Sequence, residues 1–319
     1  MPKPVMFTAR VSMALLAIVA INLTLSGQSL TNMKIQPLEL PKAAPMVVPF
    51  NYTQGLIVVP VEVNGCLAHF LFDTGFSGAA ISAAWATKHR LATLERPVHL
   101  TTAQGIVEQA GKIATGISLH FASLDVSPGP TLVLDLAFLS REDHLEVDGI
   151  LGSALFLRHV ITIDYRNRRI LLGDGPPIKA GDIELPFDRR KLPIVTAQVD
   201  TRAGKMHSGR FLVDTGSDDG IELNGWFAEK YKGALLERHR APSGSGYDLA
   251  GPMNYDVGTL RKIRFDGVDF PQLPVSMPAS NDGSSGKGLT GIIGNTFLER
   301  FAVTIDYSRG QLVLHPPQS

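Results

Sequence analysis

Two aspartates each close an apolar run and are followed by threonine and glycine: Phe70-Leu71-Phe72-Asp73-Thr74-Gly75 and Phe211-Leu212-Val213-Asp214-Thr215-Gly216. A carboxylate at the end of a buried strand is costly unless partners or a function compensate it. The glycine lets another backbone approach and takes turn angles that other residues resist. The threonine hydroxyl bonds locally and stiffens the loop. Two such loops set face to face bring two carboxyls together. Like charges at that separation cannot both ionise cheaply, so one proton is shared and the pair titrates as a unit. The ionised member can then take a proton from water while the protonated member polarises a carbonyl.

The elements that must position these loops form a repeat. Asp214 follows Asp73 by 141 positions. Gly149-Ile150-Leu151-Gly152 is matched by Gly291-Ile292-Ile293-Gly294, and Thr162-Ile163-Asp164-Tyr165 by Thr304-Ile305-Asp306-Tyr307, both at 142. A drift of one residue over such a stretch indicates a duplicated domain. Val48-Pro49-Phe50 leads into one copy, Leu185-Pro186-Phe187 into the other, and Gly173–Pro177 supplies a turn-rich linker. The expected boundaries are a leader over 1–28, a tether over 29–45, a first lobe over 46–175, a linker over 176–184 and a second lobe over 185–317.

Local patterns favour strands. Ile57–Val63 is β-branched and ends at Asn64-Gly65, a hairpin signal. Val160–Ile163 with Ile170–Leu172, and Ala302–Ile305 with Leu312–Leu314, read as matching hairpins. Helix is expected only over Ile81–His89 and Leu223–Tyr231, just after each Asp-Thr-Gly. The class is all-β with small helices.

These residues carry a resemblance. The sequence resembles the aspartic peptidases of the pepsin and retropepsin class, as a bacterial retropepsin-like domain duplicated within one chain. The resemblance spans about 46 to 315 and rests on the two Asp-Thr-Gly triplets with Ile150-Leu151-Gly152 and Ile292-Ile293-Gly294. It implies two pseudo-twofold-related lobes, each a small closed β-barrel-like domain. It implies that Asp73 and Asp214 are catalytic, supported by Thr74, Gly75, Thr215, Gly216, Ser217, Gly152 and Gly294. The two threonines would interlock, and each Asp-Thr-Gly loop would pack over a ψ-shaped loop carrying the second motif. The implied activity is endopeptidase hydrolysis of an extended peptide or protein substrate, without cofactor or metal. A flap is expected over Thr101–Gly111, and Pro242–Tyr255 is either a second flap-like loop or a solvated connection.

Phe76 departs from the family pattern, which has a small or hydroxyl residue after the glycine, whereas Ser217 fits it. A hydroxyl there donates to the carboxylate and favours its charged form, so an asymmetric pair is expected, with Ser77 as a partial substitute on the first side. Asp218 and Asp219 are expected to raise the proton affinity of the pair. Phe76 also keeps open the alternative of a peptide-binding module with the same fold and weak or absent turnover.

Composition excludes other classes. The chain has 319 residues, 30 acidic and 30 basic side chains, and so no net charge to attract nucleic acid. Two lobes of ordinary domain size follow from the length, and two copies per chain make a monomer sufficient. The single cysteine, Cys66, allows no internal disulfide, and the nine histidines show no metal-ligand spacing. Ser243–Gly246 lacks the preceding apolar strand of a serine nucleophile. Asp164 and Asp306 read as turn residues, and Asp148, matched by Thr290, as unpaired in function. Lys3 and Arg10 precede the apolar run Val11–Leu25, the pattern of an export signal. The expectation is an exported protein, periplasmic or extracellular. An uncleaved leader would serve as a tether to the inner membrane.

Overall fold

The computed structural model describes residues 24–25, 28–29 and 45–317, apart from 103–104, 127–128, 140–144, 158, 190–191, 203, 236–243, 249–250 and 280–287. The expected leader and tether therefore lie outside the described residues, except for a short ladder of Thr24–Leu25 with Gln28–Ser29. No described helix is long and apolar enough to cross a membrane.

Three sheets carry the described residues from 45 onward. The second half shows the plan most simply. Strands Ile194–Arg202, Lys205–Val213, Gly291–Ile293, Ile221–Leu223, Val268–Pro278 and Gly251–Phe265 follow one another in the sheet. Pairing of Gln198 with Arg264 and Val199 with Ile263 returns the last to the first, so six strands close a ring. The first half repeats the order with Leu56–Val63, Cys66–Asp73, Gly149–Gly152, Ala79–Ser82, Thr131–Leu134 and Gly105–Ala114. There the long hairpin is broken. Leu119–Phe121 takes the closing edge, pairing Leu119 with Val63 and His120 with Glu62.

Turn chemistry fixes the hairpins. Asn64 and Gly65 both have positive φ, 50° and 79°, as a two-residue turn of the right twist requires. Gln54-Gly55 and Asp266-Gly267 adopt the same turn, at 52° and 81° and at 43° and 80°. Helix is confined to short pieces such as Ala83–Lys88, capped by the Ser82 hydroxyl, and Gly225–Leu235.

The third sheet joins the halves. Its order is Ile183–Pro186, Gln311–His315, Ala302–Asp306, Val160–Asp164, Arg169–Leu172, Met46–Pro49, three strands from each half. Thr162 faces Thr304 at the centre, on the pseudo-twofold axis. Ile161, Ile163, Val303 and Ile305 point into the main core, which runs continuously through both lobes. The threonines belong to a polar chain on the opposite face. Thr162 Oγ1 lies 2.9 Å from Thr304 Oγ1, Thr304 Oγ1 3.0 Å from His315 Nε2, and His315 Nδ1 2.9 Å from Asp182 Oδ2. Gly175 of the linker packs directly over Thr304, where a side chain would collide.

This chain of bonds pins the linker to the shared sheet. His315→Ala leaves both the Asp182 carboxylate and the Thr304 hydroxyl without the ring that joins them. The expected cost is about 1–3 kcal/mol, read as a lower midpoint in urea unfolding. An unchanged midpoint would show that solvent replaces the ring freely.

Candidate active site

Each Asp-Thr-Gly loop is held from below by its glycine-motif strand. Gly149–Gly152 runs parallel to the first aspartate strand, with Ile150 beside Leu71 and Gly152 beside Asp73. Gly291–Ile293 does the same for the second, and Asp214 N–H donates to Ile293 O at 2.9 Å. The motif then turns under the loop. Gly152 N–H donates to Gly78 O at 2.8 Å and Ser153 N–H to Phe76 O at 2.7 Å. On the other side Gly294 N–H donates to Gly220 O and Asn295 N–H to Ser217 O, both at 2.9 Å. A Cβ at Gly152 or Gly294 would strike these backbones, so glycine is required for the close approach. One residue, Ser77, separates Phe76 from Gly78, whereas two, Asp218 and Asp219, separate Ser217 from Gly220. That insertion is the origin of the change in offset from 141 to 142.

The threonines lock the loops together. Thr74 Oγ1 donates to Val213 O at 2.8 Å, and Thr215 Oγ1 donates to Phe72 O at 2.7 Å. Each hydroxyl also accepts from the opposing threonine's N–H, at 3.0 Å in both directions. Gly75 lies against the Asp214 carboxyl and Gly216 against that of Asp73, so closely that a Cβ on either would overlap the carboxyl carbon. The two carboxyls are thereby brought together, one from each lobe.

Both are fully buried. Asp73 Oδ1 accepts from the N–H of Gly75 at 2.8 Å and of Phe76 at 2.9 Å, and Asp214 Oδ1 from Gly216 N–H at 2.8 Å. Oδ2 of each aspartate is buried and receives no donor from the protein around it. A bond between the carboxyls therefore needs a proton on one of them. Burial, then the charge of Asp214 and the bond to it, hold Asp73 well above the usual carboxylate range. Burial also raises Asp214, to about 6, opposed by the bond from Asp73 and by the amides of Gly216 and Gly75. Burial holds both above the usual range, and two carboxyls so close titrate as a unit.

The hydroxyl bond expected on the Asp214 side is not formed. Ser217 Oγ accepts from Asp219 N–H at 3.3 Å and does not donate to Asp214. Ser77 makes no bond to Asp73. Phe76 serves Asp73 through its main-chain N–H, and its ring is buried in an apolar cluster with Leu56, Leu71, Ala80, Leu132 and Ile150. Asp219 Oδ2 accepts from Ser276 Oγ at 2.5 Å, and Asp218 packs against Gly55 of the first lobe. The mirror of the Phe76 cluster is smaller among the described residues, with Leu212, Leu289 and Ile292 buried and Leu192 and Ile194 packed against them, because Glu222 and Ser276 replace Ala80 and Leu132 in the paired strands.

Other residues take the roles their sequence context suggested. Asp164 accepts from Asn167 and Arg169, and Asp306 from Ser308 and Arg309, as turn residues do. Asp148 and Thr290 share a function that the sequence did not reveal. Each side chain accepts the N–H of the residue opposite, His69 at 2.9 Å and Arg210 at 3.1 Å, and so fixes entry into the glycine-motif strand. No metal-binding group of His, Cys, Asp and Glu occurs among the described residues. Thr93–Thr102 and Gly105–Ala114 form a hairpin in the expected flap region, and Gly244–Asp248 pairs with Gly251–Phe265 in the second. The connecting residues 103–104 and 249–250 lie outside the described residues.

One closed ring, its open repeat in the other half, one Asp-Thr-Gly loop from each and a joining sheet give the chain the fold of a solved aspartic proteinase. A solved aspartic proteinase from Irpex lacteus aligns with a TM-score of 0.53 at 16% identity, covering 86% of this chain and 98% of that one. Residues 59–155, which contain Asp73-Thr74-Gly75 and Gly149–Gly152, match the family model described as aspartyl protease. No curated protein matches the chain.

The raised carboxyls link stability to pH. The native pair keeps protons that the unfolded chain releases near pH 4, so its contribution is fully present below that range and is lost as pH rises through the raised values. The melting temperature is expected to fall between about pH 4 and 7. Asp73→Asn, which keeps the shape and removes the charge, should flatten that fall and raise the neutral-pH melting temperature by several degrees. Parallel curves for parent and variant would place the dependence elsewhere.

Proposed function

We propose that the chain is an aspartic endopeptidase in which Asp73 and Asp214 activate one water against a peptide carbonyl. One observation carries this reading. Two buried carboxyls, one from each lobe, each lie against the other loop's glycine, are both held above the usual carboxylate range and keep their Oδ2 atoms free of protein donors. Burial of such a pair costs stability and serves no packing purpose, which is the mark of a functional group.

The singly protonated pair has an acid and a base in one place. The ionised carboxyl takes a proton from water as its oxygen attacks the carbonyl carbon. The protonated carboxyl donates to the carbonyl oxygen as negative charge develops there. Collapse of the tetrahedral species breaks the C–N bond, and the proton first taken from water passes to the leaving nitrogen. The amides of Gly75, Phe76 and Gly216 hold the Oδ1 oxygens in place, so neither carboxyl need reorganise during the step. The substrate is an extended peptide or protein segment lying between the lobes. A single chain supplies both halves of the site. Export rests on the basic and then apolar N-terminal segment.

Cleavage of a mixed peptide library between about pH 3 and 7 tests the proposal. The parent is expected to cleave on the acidic side and to lose activity once the pair is fully ionised. Asp73→Asn and Asp214→Asn, each still folded by circular dichroism, should each lower cleavage by about 10³-fold or more. A parent that binds peptides equally well with either substitution, and cleaves none, would replace this reading with a binding module.

A further inference from the structure

Asn295 follows the second glycine motif, and its side chain is fully buried. Both amide hydrogens and the carbonyl oxygen are bonded, and the partners come from three separate parts of the fold. Nδ2 donates to Thr215 O, in the second catalytic loop, at 2.7 Å. The same nitrogen donates to Gly55 O, in a hairpin turn of the first lobe, at 2.7 Å. Oδ1 accepts from the Tyr165 hydroxyl, beside the shared sheet, also at 2.7 Å. Burial keeps the Tyr165 hydroxyl protonated, so it remains a donor throughout the acidic and neutral range. Gly55 in turn packs against Asp218, three residues past the threonine whose carbonyl Asn295 holds.

The duplicated half provides an internal control. Ser153 occupies the place of Asn295, and its hydroxyl donates only to Phe76 O, within its own lobe, at 3.1 Å. Tyr307 occupies the place of Tyr165, and its buried hydroxyl has no protein partner. The amide bracket between lobes therefore exists once, on the Asp214 side.

We infer that Asn295 is a positioning residue that ties the Thr215 loop to the first lobe and so sets the distance between the two active-site carboxyls. The inference rests on the peptidase reading for its kinetic consequence but not for its geometry. Without the bracket, the loop carrying Asp214 keeps the threonine exchange and loses its lateral hold on the Gly55 turn. Small displacements of that loop separate the carboxyls and weaken proton sharing. Peptide binding over the remaining surface is untouched.

The test compares Asn295→Ala, Asn295→Asp and Tyr165→Phe in the full chain by two readouts. The first is steady-state peptide cleavage. Misplacement of a reacting group by about 1 Å costs on the order of 100-fold, so kcat for Asn295→Ala should fall by roughly 10- to 100-fold, with KM within about threefold. In Asn295→Asp the introduced carboxyl faces two carbonyl oxygens, keeps its proton and still donates to one of them, so its kcat should lie between those of the parent and the alanine variant. Tyr165→Phe, which keeps both donated bonds, should be the mildest. The second readout is titration of the aspartate pair by carboxyl carbon NMR. The upper step should move to lower pH in Asn295→Ala, since separated carboxyls repel less.

Unchanged kcat together with an unchanged titration would overturn the inference. So would a rise in KM alone. If the parent cleaves no peptide, the peptidase reading fails and the titration still decides the role of Asn295. If the alanine variant does not fold, the order of the other two variants decides it.

Discussion

Thr74 and Thr215 exchange four hydrogen bonds across the pseudo-twofold axis, and the position of both carboxyls hangs on them. Each hydroxyl gives its proton to the carbonyl just before the other lobe's aspartate, and its lone pair to the other threonine's amide. No loop in this exchange can move without breaking a bond that belongs to its partner. Two carboxyls pressed together in a dry interior repel unless a proton is shared. The arrangement holds because the threonines fix the backbone on both sides of each carboxyl before any side-chain choice is made.

Duplication built this site, and divergence then made its halves unequal. Phe76 and Ser217 stand after the two glycines, Ser153 and Asn295 after the two lower motifs, Ala80 and Glu222 on the paired strands. The backbone bonds are the same at each place: an amide after the glycine motif reaches the carbonyl of Phe76 or of Ser217. The side chains go separate ways, one set into an apolar cluster and the other into polar bonds. A homodimeric site could not do this, because each substitution would appear twice. A single chain can give one carboxyl more amide donors and the other a lateral brace.

Much of the backbone plan was legible in the sequence. The Asp-Thr-Gly and glycine motifs, their matched spacing and Asn64-Gly65 are local signals with local causes, and they located the aspartate strands, the ψ-shaped loops and a hairpin. The one-residue drift was read as the mark of duplication, and its origin at Asp218 and Asp219 emerged only from the matched loops. What escaped was long-range. Asn295 meets Gly55, Tyr165 and Thr215 at separations of 240, 130 and 80 residues, and nothing beside it in the chain marks it. Ser217 was read by its type as a donor to the carboxylate, yet the inserted residue brings the Asp219 amide within its reach. Phe76 was read through its side chain, which lacks a hydroxyl, and the bond of its main-chain N–H to Asp73 Oδ1 was not foreseen. Asp148 and Thr290 differ in type and so concealed a shared function, accepting one backbone N–H at the same place in each half.

Three independent ties converge on the carboxyl pair. The shared six-stranded sheet fixes how the lobes lie, through Thr162 and Thr304 at its centre. The threonine exchange fixes the loops to each other. Asn295 fixes one loop to the far lobe. A strained or repulsive feature persists only where its surroundings over-determine it, and a buried charge held near a second acid is such a feature. The sheet alone would leave the loops free to part, and the threonines alone would let both loops tilt together. With the third tie the pair has no inexpensive route by which to relax.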